Sequence, residues 1–301
     1  LKTSLGFATL GEIFKENFMR QKKVATRVIK VLLILIMFIC RDGFGQSALK
    51  ILISNDDGID APGLAALFDK LSSLGSVTVA AAVKNQSGVS HGLTSDGPIW
   101  VEETERKGKK WYAIEALPAT CVRLALESLL PEKPDILVAG VNRGETTGVV
   151  TFYSATVACA REAAFNGIPA VAVHLERSET MDYKGAASFI AELIKDVLQT
   201  EPKPRLFLNI NIPGLPREKI KGVLITRQDT RKTIEFYTKK KDPSGKVYFE
   251  RSFKRLDPAG EKTDIWAVRN GYISITPLQF DQTDDAALKS LEAWAAKKWG
   301  K

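Results

Sequence analysis

Two adjacent carboxylates, Asp56 and Asp57, stand in the tetrapeptide N-D-D-G at 55–58, directly after the apolar run Lys50–Ser54. Two ionised acids side by side repel, and a hard divalent cation held between their oxygens is the natural relief. Mg²⁺ or Mn²⁺ suits such an oxygen-only site. The plainer alternative is a turn in which Asp56 caps the next helix and Asp57 is solvated. A second polar cluster, N-Q-S-G at 85–88, taken alone reads as a turn of small polar residues. The third is A-G-V-N-R-G-E-T-T-G at 139–148, followed by Y-S-A-T-V-A at 153–158. Asn142 falls at a strand's carboxyl end, where its amide oxygen can join the carboxylates on a metal. The glycines let backbone N–H groups approach an anion. Ser154 and Thr156 open a predicted helix whose free N–H groups and dipole favour a phosphate.

The elements that must position these residues alternate. Short β-branched runs at Lys50–Ser54, Ser76–Ala81, Asp135–Val141, Pro169–His174 and Leu206–Asn211 are separated by helical stretches at Pro62–Ser73, Pro118–Leu130, Ser154–Asn166 and Lys184–Gln199. The first two helices open with a proline in the first turn. Such alternation predicts a doubly wound α/β domain, from about 48 to about 215, built on a mainly parallel sheet with both faces covered. The acid pair then lies at the carboxyl edge of the first strand, where open α/β sheets bind ligands. In the tail, Gly222–Gln228, Tyr248–Phe253 and Gly271–Thr276 read as strands, with D-P-S-G at 242–245 as a turn and no helix between them. This β-rich extension is expected to pack on a neighbouring subunit rather than fold back on its own domain. Residues 284–299 close the chain as an amphipathic helix with Leu288, Leu291 and Trp294 on one stripe.

Of 43 basic and 35 acidic residues, eight and three fall in residues 1–45, leaving 35 and 32, a net of +3. That balance speaks against a dedicated nucleic-acid binder. From Met19 a basic stretch leads into the apolar run Val31–Cys40 and then Gly43 and Gly45, which reads as a secretory signal cleaved before Gln46. The run is too short to span a bilayer comfortably, so no permanent membrane span is expected after cleavage. Residues 1–18 read as an extension upstream of the true start. Ile39 before Cys40 argues against lipid anchoring. Cys121 and Cys159 sit in apolar helical stretches as buried structural thiols, which gives neither a disulfide framework nor a zinc site. His91 and His174 read as structural or peripheral.

Taken together and in order, these clusters closely resemble the SurE family of metal-dependent nucleotidases and phosphatases. The resemblance rests on I-L-I-S-N-D-D-G-I-D-A-P-G-L at 51–64, N-Q-S-G-V-S-H-G-L-T at 85–94, G-V-N-R-G at 140–144 and Y-S-A-T-V-A at 153–158. N-I-N-I-P at 209–213 and G-Y-I-S-I-T-P-L at 271–278 extend it over most of residues 50–283. It implies a Rossmann-like three-layer αβα fold over residues 46–301, with a C-terminal extension from about 216 exchanged between subunits, hence a homodimer or homotetramer. It implies one divalent ion, Mg²⁺ or Mn²⁺, held by Asp56, Asp57, Ser87 and Asn142, with Asn55, Asn85, Gly144, Ser154 and Thr156 around the phosphate. By the same resemblance Asp56 and Asp57 would be the catalytic carboxylates of a phosphomonoesterase acting on nucleoside 5′-monophosphates, with 3′-monophosphates and other small phosphomonoesters as further substrates, and Asp56 would also orient or deprotonate the attacking water.

The chain departs from the family's pattern at several points. G-x-N-x-G-x-N-x-G reads G-V-N-R-G-E-T-T-G, losing a second asparagine within 145–147. Y-S-G-T-V has become Y-S-A-T-V, G-T-P-x-D-C appears as A-L-P-A-T-C at 116–121, and Asp285 stands where some members carry histidine. Substrate preference is expected to differ accordingly. Two competing functions are a catalytically silent exported nucleotide-binding protein and a phospho-acceptor signalling domain. The latter would want an acid where Asn142 stands. The signal implies a periplasmic or secreted protein, whereas family members are commonly cytoplasmic.

Overall fold

The computed structural model describes Met19 and residues 48–199, 206–231, 234–254, 257 and 260–300. The expected signal, its cleavage point and Cys40 lie outside these residues.

Five apolar runs form the parallel heart of a nine-stranded sheet: β1 (Leu49–Ser54), β2 (Gly75–Ala82), β5 (Ile136–Arg143), β6 (Ala170–Leu175) and β7 (Phe207–Ile212). Two charged, turn-linked segments add β3 (Val101–Arg106) and β4 (Lys109–Ile114), and the tail adds β8 (Gly222–Ile225) and β11 (Tyr272–Pro277). The order across the sheet is β3-β4-β2-β1-β5-β6-β7-β11-β8. Strands β3 and β11 run antiparallel to β4 and β7, so the sheet is mainly, not wholly, parallel.

Alternation along β1 shows why the sheet has two covered faces. Ile51 and Ile53 join one core with Leu64, Leu67, Phe68 and Leu71 of α1 (Pro62–Leu71) and Ile190 and Ile194 of α4 (Tyr183–Gln199). Leu52 points the other way, onto Val122 of α2 (Pro118–Leu124) and Val157, Ala160 and Ala163 of α3 (Ala155–Phe165). Helices on both faces of a mostly parallel sheet make this the expected three-layer α/β fold. The chain moves from β1 to β2 and β4 on one side and then crosses from β4 to β5 on the other side of β1, which makes the β1/β5 junction the switch point of the sheet.

Three expectations are corrected. The helix read as Pro118–Leu130 is α-helical only to Leu124 and then widens into one π-type turn, with the Leu130 N–H donating to Ala125 O at 3.0 Å. A short helix, α5 (Asp264–Arg269), lies between the tail strands, with Thr263 capping it through the Trp266 N–H. The α/β unit does not close near 215, because β8 and β11 extend its own sheet. What remains apart is a hairpin, β9 (Ile234–Lys241) and β10 (Val247–Lys254), paired only with each other across a turn in which Asp242 Oδ1 accepts from Ser244 and Lys246. Phe236, Tyr237, Phe249 and Phe253 on it are exposed, as are Leu288, Leu291 and Trp294 of the closing helix α6 (Asp285–Trp299). Among the described residues no helix is long and apolar enough to cross a membrane.

Candidate active site

Asp56 and Asp57 lie one residue beyond the end of β1, after Asn55, at the switch point. Asp56 is buried and lies against the first turn of α3, where the Thr156 hydroxyl donates to its Oδ1. Burial raises its carboxyl to about 6; the Thr156 bond works against this and the neighbouring Asp57 charge adds to it. Asp57 is half-buried. Burial raises its carboxyl too, opposed by the Arg143 main-chain N–H, which donates to Oδ2 at 3.0 Å, and by the charges of Arg143 and Arg177.

The loop after β2 is laced to this tip. The Gln86 N–H donates to Asp56 O at 2.8 Å, and the Asn85 amide reaches Asp57 Oδ1 at 3.4 Å. Ser87 donates its main-chain N–H to Asn85 Oδ1 at 3.0 Å and leaves its side chain exposed. From the other side, β5 carries Asn142, whose amide nitrogen is engaged by Gly144 O at 2.9 Å, so its oxygen is the end available to a cation. Segments some thirty, ninety and a hundred residues from the acid pair therefore meet it.

Some candidate residues prove to be occupied otherwise. The Gly144 N–H donates to Leu175 O at 2.7 Å, and the Arg177 side chain covers this glycine, so the N–H does not face an anion. Thr156 gives its hydroxyl to Asp56 rather than to a phosphate. Ser154 is the N-cap of α3, accepting the Val157 N–H at 3.2 Å. Asn55 is fully buried and donates to Gly58 O at 3.0 Å, which holds the turn. Its Oδ1 is buried with no hydrogen-bond partner among the described residues, an acceptor left over beside two repelling acids.

That leftover acceptor and the strained acid pair fit a divalent cation. Among the described residues no three His, Cys, Asp or Glu side chains converge on a metal position, so a cation here would have to draw on the two carboxylates and on neutral oxygens. Carboxylate, amide and hydroxyl oxygens suit Mg²⁺ or Mn²⁺ and not zinc.

The sequence model for survival protein SurE matches residues 51–235. The chain is 41% identical over 248 residues to the 5′-nucleotidase SurE of Alkalilimnicola ehrlichii, covering 82% of this chain and 95% of that one. The chain belongs to the SurE family. A second SurE relative, the 5′-nucleotidase SurE of Geobacter sulfurreducens, is 40% identical over 252 residues, covering 82% and 94%. The crystal structure of the SurE protein from Aquifex aeolicus superposes with a TM-score of 0.72 at 37% identity, over 81% of this chain and 99% of that one.

Around the SurE motifs the structure adds residues that motif reading had not singled out. Arg143 acts on Asp57 through its main chain, and Arg177 sits over Gly144. On β7, Asn209 and Asn211 are fully buried, as is Asp264 at the start of α5. The available signal was N-I-N-I at 209–212, where polar residues alternate inside an otherwise apolar central strand. His174 is fully buried, and burial pushes its pKa down to about 3, so it stays neutral as a structural residue. His91 is paired with Glu162 at 2.7 Å, away from the acid pair.

Proposed function

We propose that this chain is a divalent-metal-dependent phosphomonoesterase that hydrolyses nucleoside 5′-monophosphates, with 3′-monophosphates as further substrates. The observation that carries the reading is the acid pair at the tip of β1, with Asp56 set against the N-terminal turn of α3. Carboxylates for a cation and a helix start suited to an anion thus share one edge of the sheet. Asp56, Asp57, Ser87 and Asn142 would hold one Mg²⁺ or Mn²⁺. When bound, such an ion lowers the pKa of the attacking water and neutralises charge on the phosphoryl group. Asp56 orients that water and takes its proton. Asn85, the Ser154 O–H, whose oxygen already accepts from the Val157 N–H, and the Ala155 N–H at the start of α3 hold the phosphate oxygens. No covalent intermediate on the protein is required.

Phosphate release from AMP, GMP, 3′-AMP and p-nitrophenyl phosphate with Mn²⁺, Mg²⁺ or EDTA tests this. Metal-dependent turnover lost in Asp57→Ala is expected; absence of turnover under every condition would leave only a silent binding protein.

The assembly proposed is a homodimer or homotetramer built on the β9–β10 hairpin and α6. A two-stranded hairpin is marginal alone in water, and its exposed Phe236, Tyr237, Phe249 and Phe253 want cover. A monomeric mass by light scattering would sink it. Export through residues 19–45 is proposed on their sequence pattern, and a native N-terminus other than Gln46 would contradict it.

A further inference from the structure

The segment between Asn142 and Ser154 joins a proposed metal ligand to the start of the anion-facing helix, and within it the Thr151 hydroxyl donates to Gly148 O at 2.8 Å. Its main chain is also held from β7, from α5 and from Gln228 after β8. The Thr146 N–H donates to Asn211 Oδ1 at 2.7 Å, while Thr146 O accepts from Asn211 Nδ2 at 3.1 Å and from Asn209 Nδ2 at 2.8 Å. One side-chain amide thus pairs with both main-chain groups of a residue, as a neighbouring strand would. A main-chain N–H can only donate, so the orientation of the Asn211 amide is determined. Two residues on, the Gly148 N–H donates to Asp264 Oδ2 at 2.7 Å and Gly148 O accepts from Gln228 Nε2 at 2.8 Å. Gly148 has φ +57, and a Cβ there would come within 2.7 Å of Asp229 O.

Packing does not explain these asparagines. Ile210 and Ile212 fill the alternate positions of the same strand, so hydrophobic burial gives no reason for an amide at 209 or 211. Burying an amide costs free energy unless its hydrogen bonds are made, and Asn211 makes them with Thr146, its Oδ1 accepting and its Nδ2 donating.

We propose that Asn211 is a positioning residue for the phosphoryl chemistry: by pairing with Thr146 it sets the separation between Asn142 and Ser154, and so between cation and phosphate. This rests on the phosphomonoesterase reading above. Asn209 and Asp264 are the secondary anchors of the same segment.

The test compares Asn211→Leu, Asn211→Asp and Thr226→Val. Thr226 is buried on the neighbouring β11–β8 part of the sheet and bonds Ser274 and Thr276, not the loop, so it controls for loss of a buried polar group. In the metal-free protein, Asn211→Leu should speed amide exchange at Thr146 at least about tenfold while β1 amides stay as in the wild type. With saturating Mn²⁺ its kcat should fall about ten- to hundredfold, the scale of a small misplacement, with KM little changed. Thr226→Val should leave both readings within about twofold. If the leucine variant does not fold, Asn211→Asp decides: protonated, it restores donor and acceptor, so its turnover relative to wild type should recover as pH falls. No turnover in the wild type sinks the phosphomonoesterase reading and this inference together. An active wild type with unchanged Thr146 exchange in Asn211→Leu, no pH recovery in Asn211→Asp, or an equal loss in Thr226→Val, sinks this inference alone.

Discussion

Replacing Asp56 by asparagine should make the metal-free protein more stable while abolishing its activity. The carboxyl is buried at 3% exposure and its pKa is raised from 3.8 to about 6, burial being the largest cause. An acid with a raised folded pKa holds its proton in the folded state after the unfolded chain has lost it. Stability therefore falls as pH rises from about 4 to about 6 and stays low above that. The full penalty, a little over two pKa units, is about 3 kcal/mol near pH 8 and about 1 kcal/mol near pH 4.5. Asparagine keeps the shape and an acceptor for Thr156 but has no charge to desolvate. For a domain of this size about 3 kcal/mol corresponds to roughly 6–12 °C in Tm. Thermal melts in EDTA across pH should show that gain near pH 8, shrinking to about a third near pH 4.5. Adding Mn²⁺ should raise the wild-type Tm and leave the variant nearly unmoved. Equal Tm values near pH 8, or a gain that does not shrink on acidification, would refute the electrostatic account of this pair.

Gly63→Ala should destabilise the fold by about 3 kcal/mol, since a Cβ there would lie 2.0 Å from Val141 O, where α1 crosses β5; a denaturant melt indistinguishable from wild type would contradict it. Burial pushes the Cys121 thiol up to about 12 and Cys159 well above its ordinary range. Peptide mapping after iodoacetamide at about pH 8 should find both unmodified in native protein and both modified in guanidinium. Glu162 is buried and hydrogen-bonded to His91 at 2.7 Å, so Glu162→Ala should lower stability by about 1–3 kcal/mol. Glu250, in the exposed Lys240 pair at 2.6 Å, should tolerate alanine with no resolvable change in Tm.

The parallel strands β1, β2, β5, β6 and β7 were legible to within two residues at either end, because strands buried on both faces read as largely apolar runs, interrupted in β7 only by Asn209 and Asn211. Strand β3, V-E-E-T-E-R, was not, since an exposed edge strand carries charge where the periodic signal should be. Helix α5 is six residues long, shorter than any helical period can reveal, and β11 enters the sheet beside β7 by a pairing across more than sixty residues. The candidate site divides in the same way. N-D-D-G, N-Q-S-G and G-V-N-R-G could be read as donors because the chemistry of a carboxylate, a hydroxyl or an amide travels with the residue.

Which of those groups is free to act could not be read. Thr156 bonds an acid a hundred positions away, the Gly144 N–H is engaged by Leu175, and Asn211 reaches across 65 positions to pair with Thr146. The amino-acid order by itself determined the family, the alternation of buried faces and the supply of oxygen donors, all of which depend on residue type and short spacing. Only the tertiary structure decided how those donors are partnered, because a buried polar group must find its hydrogen bonds among whatever chain segments folding brings beside it.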